Sequence, residues 1–352
     1  MVAVIVASVV TVPYYELVPG QAQPVSRLIT VPSGKGHRLH GNFLLTDVGV
    51  VGNLRLIALL PAWLNSDATL VKTALLTGNL PAAEFDAQGT VDMAESQLTA
   101  KSVAFRQLGY SVPEHDAGVT VYAVAPGTSA YGHLTVGDVI SSVDGVPTTN
   151  PAQLVAAIRA HRPGDRVTLA IGSIAHPTPG HNVSVRLGSA RSDGKTVALL
   201  GVSGGTQPVY DFPFPIRINS DEIGGPSAGL AWTLGIINKL AGGDLTGGRT
   251  IAATGTIRPD GSVGDVGGVE QKTVAVENAR ASVFFVPDFR DSVTAARSKA
   301  VPGLHVFPVS SLGQAMNDLK SLGGRLGPAV AGPPPGPGGH SVPAYWQDSP
   351  WS

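Results

Sequence analysis

The chain lacks cysteine altogether and is poor in charge and aromatic side chains, with 14% charged residues and 6% Phe, Trp and Tyr over 352 positions. The first absence removes disulfides, thiolate metal sites and thiol nucleophiles together. The nine histidines are scattered, without an HExxH-like pair on one helical face, so neither a metal site nor a cofactor is expected. An excess of either charge is missing too: formal net charge is −1 and the basic residues do not cluster. Nucleic acid needs a basic face to offset its phosphates and is excluded as a partner on that ground. What is present is a folding composition, 43% hydrophobic, in a chain long enough for two or three cores.

An uncharged apolar run, VAVIVASVVTV, opens the chain at residues 2–12 and stops at Pro13. Spanning a bilayer takes about 20 such residues, so the run alone is too short. It has neither the preceding positive charges nor the small-residue cleavage site of a secretory leader. A core strand or the outer end of a membrane anchor remains, and we take the second as the expectation, with Tyr14 and Tyr15 at the aromatic belt. On that expectation, 1–19 is an anchor or signal remnant and the folded domains face outside the cytoplasm.

Residues 20–60 read as short strands broken by Gly and Pro, for example at 28–31 and 42–48. From about 67 to 108 the pattern turns helical, and the region 20–107 carries no recognisable chemistry. A period of two begins at Val119, where apolar and polar residues alternate to Val124 before the Pro126, Gly127 turn. A helix follows over 150–161, with Asn150 as its cap, Pro151 at the first helical position and Leu154, Ala157 and Ile158 on one face. Two more strands are expected at 166–171 and 182–187. The run GVTVYAVAPGTSAYGHLTVGDVISSVDGVPTTN resembles the signature of bacterial PDZ domains, except where Tyr131, Gly132 and His133 replace the usual small and leucine-like packing. The resemblance covers 108–187 and implies a mostly-β domain that binds an extended peptide as an added strand. By the same resemblance, Leu108, Gly109 and Tyr110 would form the loop whose N–H groups take a peptide carboxylate.

Chemistry concentrates in SDEIGGPSAGLAWTLGIINKL, residues 220–240. Pro226 is placed to start a helix with Leu230, Leu234 and Ile237 as its buried stripe, which puts Ser227 in the first turn. A serine there shares its direction with unpaired backbone N–H groups, as a nucleophile beside an oxyanion site requires; a helix-capping serine is the plainer alternative. Residues 250–256 read as a buried strand, Pro259, Asp260 and Gly261 as a turn, and 262–266 as a returning strand. Gly267 and Gly268 then precede a helix with Lys272 in its first turn, 45 residues after Ser227. An ammonium near a helix N-terminus is disfavoured, and burial against Val269, Val274 and Ala275 adds to the effect. Holding a lysine neutral near pH 7 costs roughly 4 kcal/mol, which a fold tolerates mainly for use as a base.

GPSAG followed by TGT, DGxVGxVGG and Lys272 resembles the proteolytic domain of Lon proteases over about 195–322. The resemblance implies Ser227 as nucleophile, Lys272 as base, Thr254 orienting the lysine, and N–H groups around Gly225, Pro226 and Ser227 at the oxyanion. Where the Lon pattern carries Glu two residues after that threonine, this chain has Thr256. Asp221 and Glu222 are read as favourable charges at a helix start, not as helpers.

SARSDGKT (189–196) is the nearest approach to a phosphate loop, but it lies between strand-like runs with Asp193 and Gly194 as a hairpin turn, so no nucleotide is expected. The expected fold class is α+β and multidomain, with a mostly-β PDZ domain at 108–187 and an α/β Lon-type proteolytic domain at 188–324. A Pro/Gly-rich disordered tail follows at 325–352. The whole chain resembles membrane-anchored PDZ–Lon proteases, which implies an ATP-independent serine endopeptidase acting on unfolded or flexible protein segments. The alternative is a proteolytically inactive PDZ and Lon-like scaffold or chaperone. Protein and peptide substrates are the expected partners, and a homo-oligomer is compatible with the sequence.

Overall fold

The computed structural model describes residues 7–78, 80–192, 194–220 and 223–329. The chain divides into two compact units, each drawn from separated stretches: one from 1–81, 96–112 and 212–352, the other from 82–95 and 113–211.

The first unit is built on a six-stranded mixed sheet. In chain order its elements are β1 (Tyr14–Pro24), β2 (Ile29–Thr30), β3 (Asn42–Val51), β4 (Thr69–Lys72), the helix α1 (Ala82–Gln107), β5 (Arg217–Ile218), α2 (Gly229–Leu240), β6 (Thr250–Ala253), α3 (Val269–Asn278), β7 (Val283–Pro287), α4 (Arg290–Lys299), β8 (His305–Val309) and α5 (Leu312–Ser321). Only the part of α1 from Ser96 onward belongs to this unit. The sheet order is β8-β7-β6-β3-β1-β4. β3, β6, β7 and β8 run parallel, and β1 and β4 add antiparallel strands at one edge. Such a buried parallel core explains the continuous apolar runs Phe43, Leu44, Leu45 and Val283 to Val286. Leu44, Ala252 and Phe284 pack with Val269 and Val276 of α3 on one face.

The N-terminal strands are thus structural parts of this sheet: β3 pairs Leu44 and Leu45 with Ala252 and Ala253 of β6, about 200 positions later. The expected break between a region at 20–107 and a domain at 188–324 does not coincide with the compact units. Several local expectations also shift. Residues Val25–Leu28 form a short helix before β2, and Thr69–Lys72 is a strand within the stretch read as helical. Tyr14 and Tyr15 lie in β1, paired with Lys72 and Val71. No described helix is long and apolar enough to cross a membrane. Residues 1–6, Asp193, Asp221, Glu222 and the tail from 330 lie outside the described residues.

The second unit is an antiparallel sheet ordered Val202–Tyr210, Glu114–Val124, Asp138–Val143, Arg166–Ser173, His181–Arg186, with Val146–Pro147 beside Asp138–Val143. Alternation delivers Val119, Val121, Ile140, Val167, Leu169 and Ile171 to one core, closed by Leu154 and Ile158. The helix carrying these last two spans Pro151–Arg159, and the Asn150 side chain accepts from the Gln153 N–H at 3.0 Å, as the sequence leads one to expect. The glycine-containing run 189–196 is a hairpin between Gly188–Ser192 and Lys195–Leu199.

One contact ties β3 to the start of α3. Gly268 caps α3 in the left-handed region, with φ of 68°, and a β-carbon there would stand 2.6 Å from Cγ2 of Val48. Both the backbone conformation and the space demand glycine. Gly268→Ala is expected to lower unfolding free energy by about 1–3 kcal/mol, measured as a reduced urea midpoint at unchanged slope; an unchanged midpoint contradicts the packing described.

Candidate active site

Ser227 sits in a turn that the sequence makes tight. Gly225 has φ of +82°, Pro226 fixes the next residue, and α2 begins only at Gly229. The serine therefore precedes the helix by two residues instead of lying in its first turn. Pro226 starts a turn here, because Ala228, the residue before the helix, has φ −92° and ψ 2° and interrupts the helical ladder. The loop is tied from three sides. Gly255 N–H donates to Ser227 O at 2.9 Å, Leu230 N–H donates to Gly255 O at 3.0 Å, and Ser96 Oγ of α1 donates to Pro226 O at 3.1 Å. A β-carbon on Gly229 would lie 2.8 Å from the backbone nitrogen of Ile257, which accounts for glycine after Ala228. Among the described residues, the N–H groups of Gly225, Ser227 and Ala228 donate to no protein acceptor. They remain available to an oxyanion beside the hydroxyl.

Lys272 meets the serine from α3. Its Nζ donates to Ser227 Oγ at 2.8 Å and to Thr254 Oγ1 at 3.2 Å, while the Thr254 hydroxyl donates to Ser227 O at 3.2 Å. Thr254 follows β6 directly, and its N–H donates to Phe285 O of β7, so the sheet sets the position of its hydroxyl. The structure brings together Ser227, Lys272 and Thr254, and places Gly225 and Pro226 in the supporting turn.

The lysine is 3% exposed. Burial lowers its pKa from 10.5 to about 8, opposed in part by the negative charge of Asp47. Asp47 lies on β3, where its Oδ1 accepts from the Gln21 N–H. Sequence reading missed this acid, as it missed Ser96. No local pattern marks either residue, because each reaches the site from a distant element. At Thr256, where a Lon-like acid is absent, the chain pairs with Gly264 in a short hairpin.

Leu108, Gly109 and Tyr110 do not form an open carboxylate loop. They terminate α1: Leu108 N–H donates to Ala104 O and Phe105 O, Gly109 N–H to Arg106 O, and Tyr110 N–H to Phe105 O. The Tyr110 ring packs edge-on against Phe105 and Phe214, with centroids 5.4 and 5.9 Å apart. With all three amides engaged in a helix end, the sequence reading of this loop is corrected.

The lysine also makes stability depend on pH. In the unfolded chain its pKa is near 10.4, above the folded value of about 8, so the unfolded state binds more protons between these limits. Its burial therefore costs stability below about pH 8, on the order of 3 kcal/mol, and the cost fades as pH rises towards 10.5. Lys272→Met is expected to be more stable than wild type at pH 7, with the gap closing by pH 10.5 in urea titrations. A gap that does not change with pH contradicts the depressed pKa.

Comparison with known proteins finds two domain families along the chain. Residues 107–172 match the family described as PDZ domain, and residues 221–319 match the Lon protease (S16) C-terminal proteolytic domain. Solved structures similar to the chain include the PDZ domain of an SdrC-like protein from Listeria monocytogenes, at 21% identity over 26% of this chain and 90% of that one, TM-score 0.22. Its counterpart from Listeria innocua shares 25% over 25% and 92%, TM-score 0.21. A protein from Geobacillus thermodenitrificans shares 30% over 24% and 94%, TM-score 0.21. No curated protein matches the chain. The second match spans Ser227, Thr254 and Lys272, and the chain thus joins a PDZ domain to a Lon-type proteolytic domain.

Proposed function

We propose that the protein is an ATP-independent serine endopeptidase in which Lys272 activates Ser227. The observation that carries this reading is the 2.8 Å contact between Nζ and Oγ, made by a lysine whose pKa burial has lowered to about 8. Neutral Lys272 takes the proton of the Ser227 hydroxyl as Oγ attacks the scissile carbonyl, forming the Oγ–C bond. The resulting oxyanion is held by N–H groups of the 225–228 turn. The ammonium of Lys272 then gives its proton to the leaving amine as the C–N bond breaks. Water, deprotonated by the same amine, releases the acyl group and restores the serine. Thr254 acts as a positioning residue, holding Nζ through its hydroxyl while that hydroxyl donates to Ser227 O.

Substrates on this reading are unfolded or flexible protein segments, since no nucleotide-binding loop accompanies the site and the nearest candidate is a hairpin. The PDZ domain recruits or gates them by a surface other than the end of α1. A proteolytically inactive scaffold is the competing reading, and a serine and a buried lysine in contact argue against it, because a scaffold gains nothing from the desolvated amine.

Ser227→Ala is expected to abolish casein cleavage with no loss of folding. A fluorophosphonate probe should label Ser227 in wild type and label it at least a hundredfold more slowly in Lys272→Ala, an order of magnitude set by general-base catalysis. Lys272→Arg should be as inactive as Lys272→Ala, since arginine cannot give up its proton. Cleavage by purified Ser227→Ala overturns the nucleophile; substantial activity in Lys272→Arg overturns the base. The rate should rise with pH through about 8, as the lysine loses its proton.

A further inference from the structure

Beside the nucleophile loop, the first unit carries a groove of about 540 Å3. Its walls are Ile218 of β5, Leu28 and Ile216 just before β2 and β5, and the helix α1, through Gln97 and Lys101. Two cations, Lys101 and Arg217, line it, and among the described residues no acidic one does. Lys101 is half-buried, its Nζ standing 5.3 Å from the centroid of the Phe212 ring. Among the described residues it has no hydrogen bond to a protein acceptor and no carboxylate partner. A lysine stem can rest on apolar surface with its head in water at little cost, but a half-buried ammonium without an anion is an unmatched charge. Burial lowers its pKa, and a carboxylate arriving there would restore what desolvation removes.

The groove's position relates it to the reaction. Ser96, next to Gln97 on α1, donates to Pro226 O at 3.1 Å, so the helix touches the loop that bears Ser227. Lys101 is five residues further along, about 7–8 Å on the helix axis, and shares a face with Gln97. The apolar floor of Leu28, Ile216 and Ile218 suits the peptide's other side chains.

Resting on the peptidase reading, we propose that this groove is a substrate subsite and that Lys101 selects a substrate with Glu or Asp at one position near the scissile bond. The carboxylate forms a charge-assisted hydrogen bond with Nζ, and Gln97 lies one helical turn away on the same face to meet the adjacent peptide backbone.

The test uses the full chain and a panel of quenched fluorescent peptides that differ only by Glu or Gln, walked over three positions on each side of one cleavable bond. Wild type is expected to show kcat/KM roughly tenfold higher for Glu at one of the walked positions, in line with a charge-assisted hydrogen bond. Lys101→Met, which keeps the apolar stem, should erase the preference. Lys101→Glu should reverse it, favouring a peptide with Lys at that position, a gain that damage to the fold cannot produce. A flat profile in wild type, or an acidic preference that survives Lys101→Met, overturns the subsite and leaves the peptidase intact. A wild-type protein that neither cleaves any peptide nor labels at Ser227 overturns the peptidase reading and the subsite with it.

Discussion

The burial of one lysine amine is the constraint on which the site depends. On the proposed mechanism Lys272 must be dry enough to lose its proton near neutral pH and still touch a serine hydroxyl. No single segment meets both requirements. α3 presents the lysine, β6 ends at the threonine that holds it, and β3 closes against the start of α3 where Val48 meets Gly268. Asp47 on that same strand tempers the desolvation, since its negative charge favours the ammonium. The pKa of about 8 is the balance of these two effects, poised near the pH at which a base both accepts and returns a proton.

The serine is held by the opposite strategy, through main-chain bonds. Its carbonyl accepts from Gly255 N–H and from the Thr254 hydroxyl, and Gly255 O in turn accepts from Leu230 at the start of α2. The loop and the end of β6 therefore brace each other, and any movement of one shifts the other. Glycine at 225 and 229 is what lets the turn form and approach: the first for its φ, the second because the Ile257 backbone lies where a side chain would go. A fixed hydroxyl beside unpaired N–H groups needs little reorganisation as charge develops.

In the second unit, the edge of Glu114–Val124 that faces away from Asp138–Val143 is covered along its length by Val202–Tyr210, from Tyr210 opposite Glu114 to Val202 opposite Val124. Val202–Tyr210 and His181–Arg186 are the terminal strands of this sheet. The core beneath is the product of simple alternation, so the domain's identity is more legible than its binding surface.

Local features were readable because they are written in short spacings. The glycine and proline before Ser227, the Asn150 cap and the 189–196 hairpin all express turn chemistry or periodicity within a few residues. The sequence by itself determined which reactive side chains are present and that Lys272 lies in the first turn of a helix. Tertiary structure alone decided that β1 and β3 complete the sheet behind the site, that Asp47 and Ser96 reach it, and that Leu108, Gly109 and Tyr110 end a helix. It also moved the start of α2 past Ser227. The influences that reach the site from afar act between residues about 130 to 225 positions apart, as with the Ser96 bond to Pro226 and the charge of Asp47 felt by Lys272. Such pairings follow from complementarity of whole surfaces, which a period of two or 3.6 along the chain does not record.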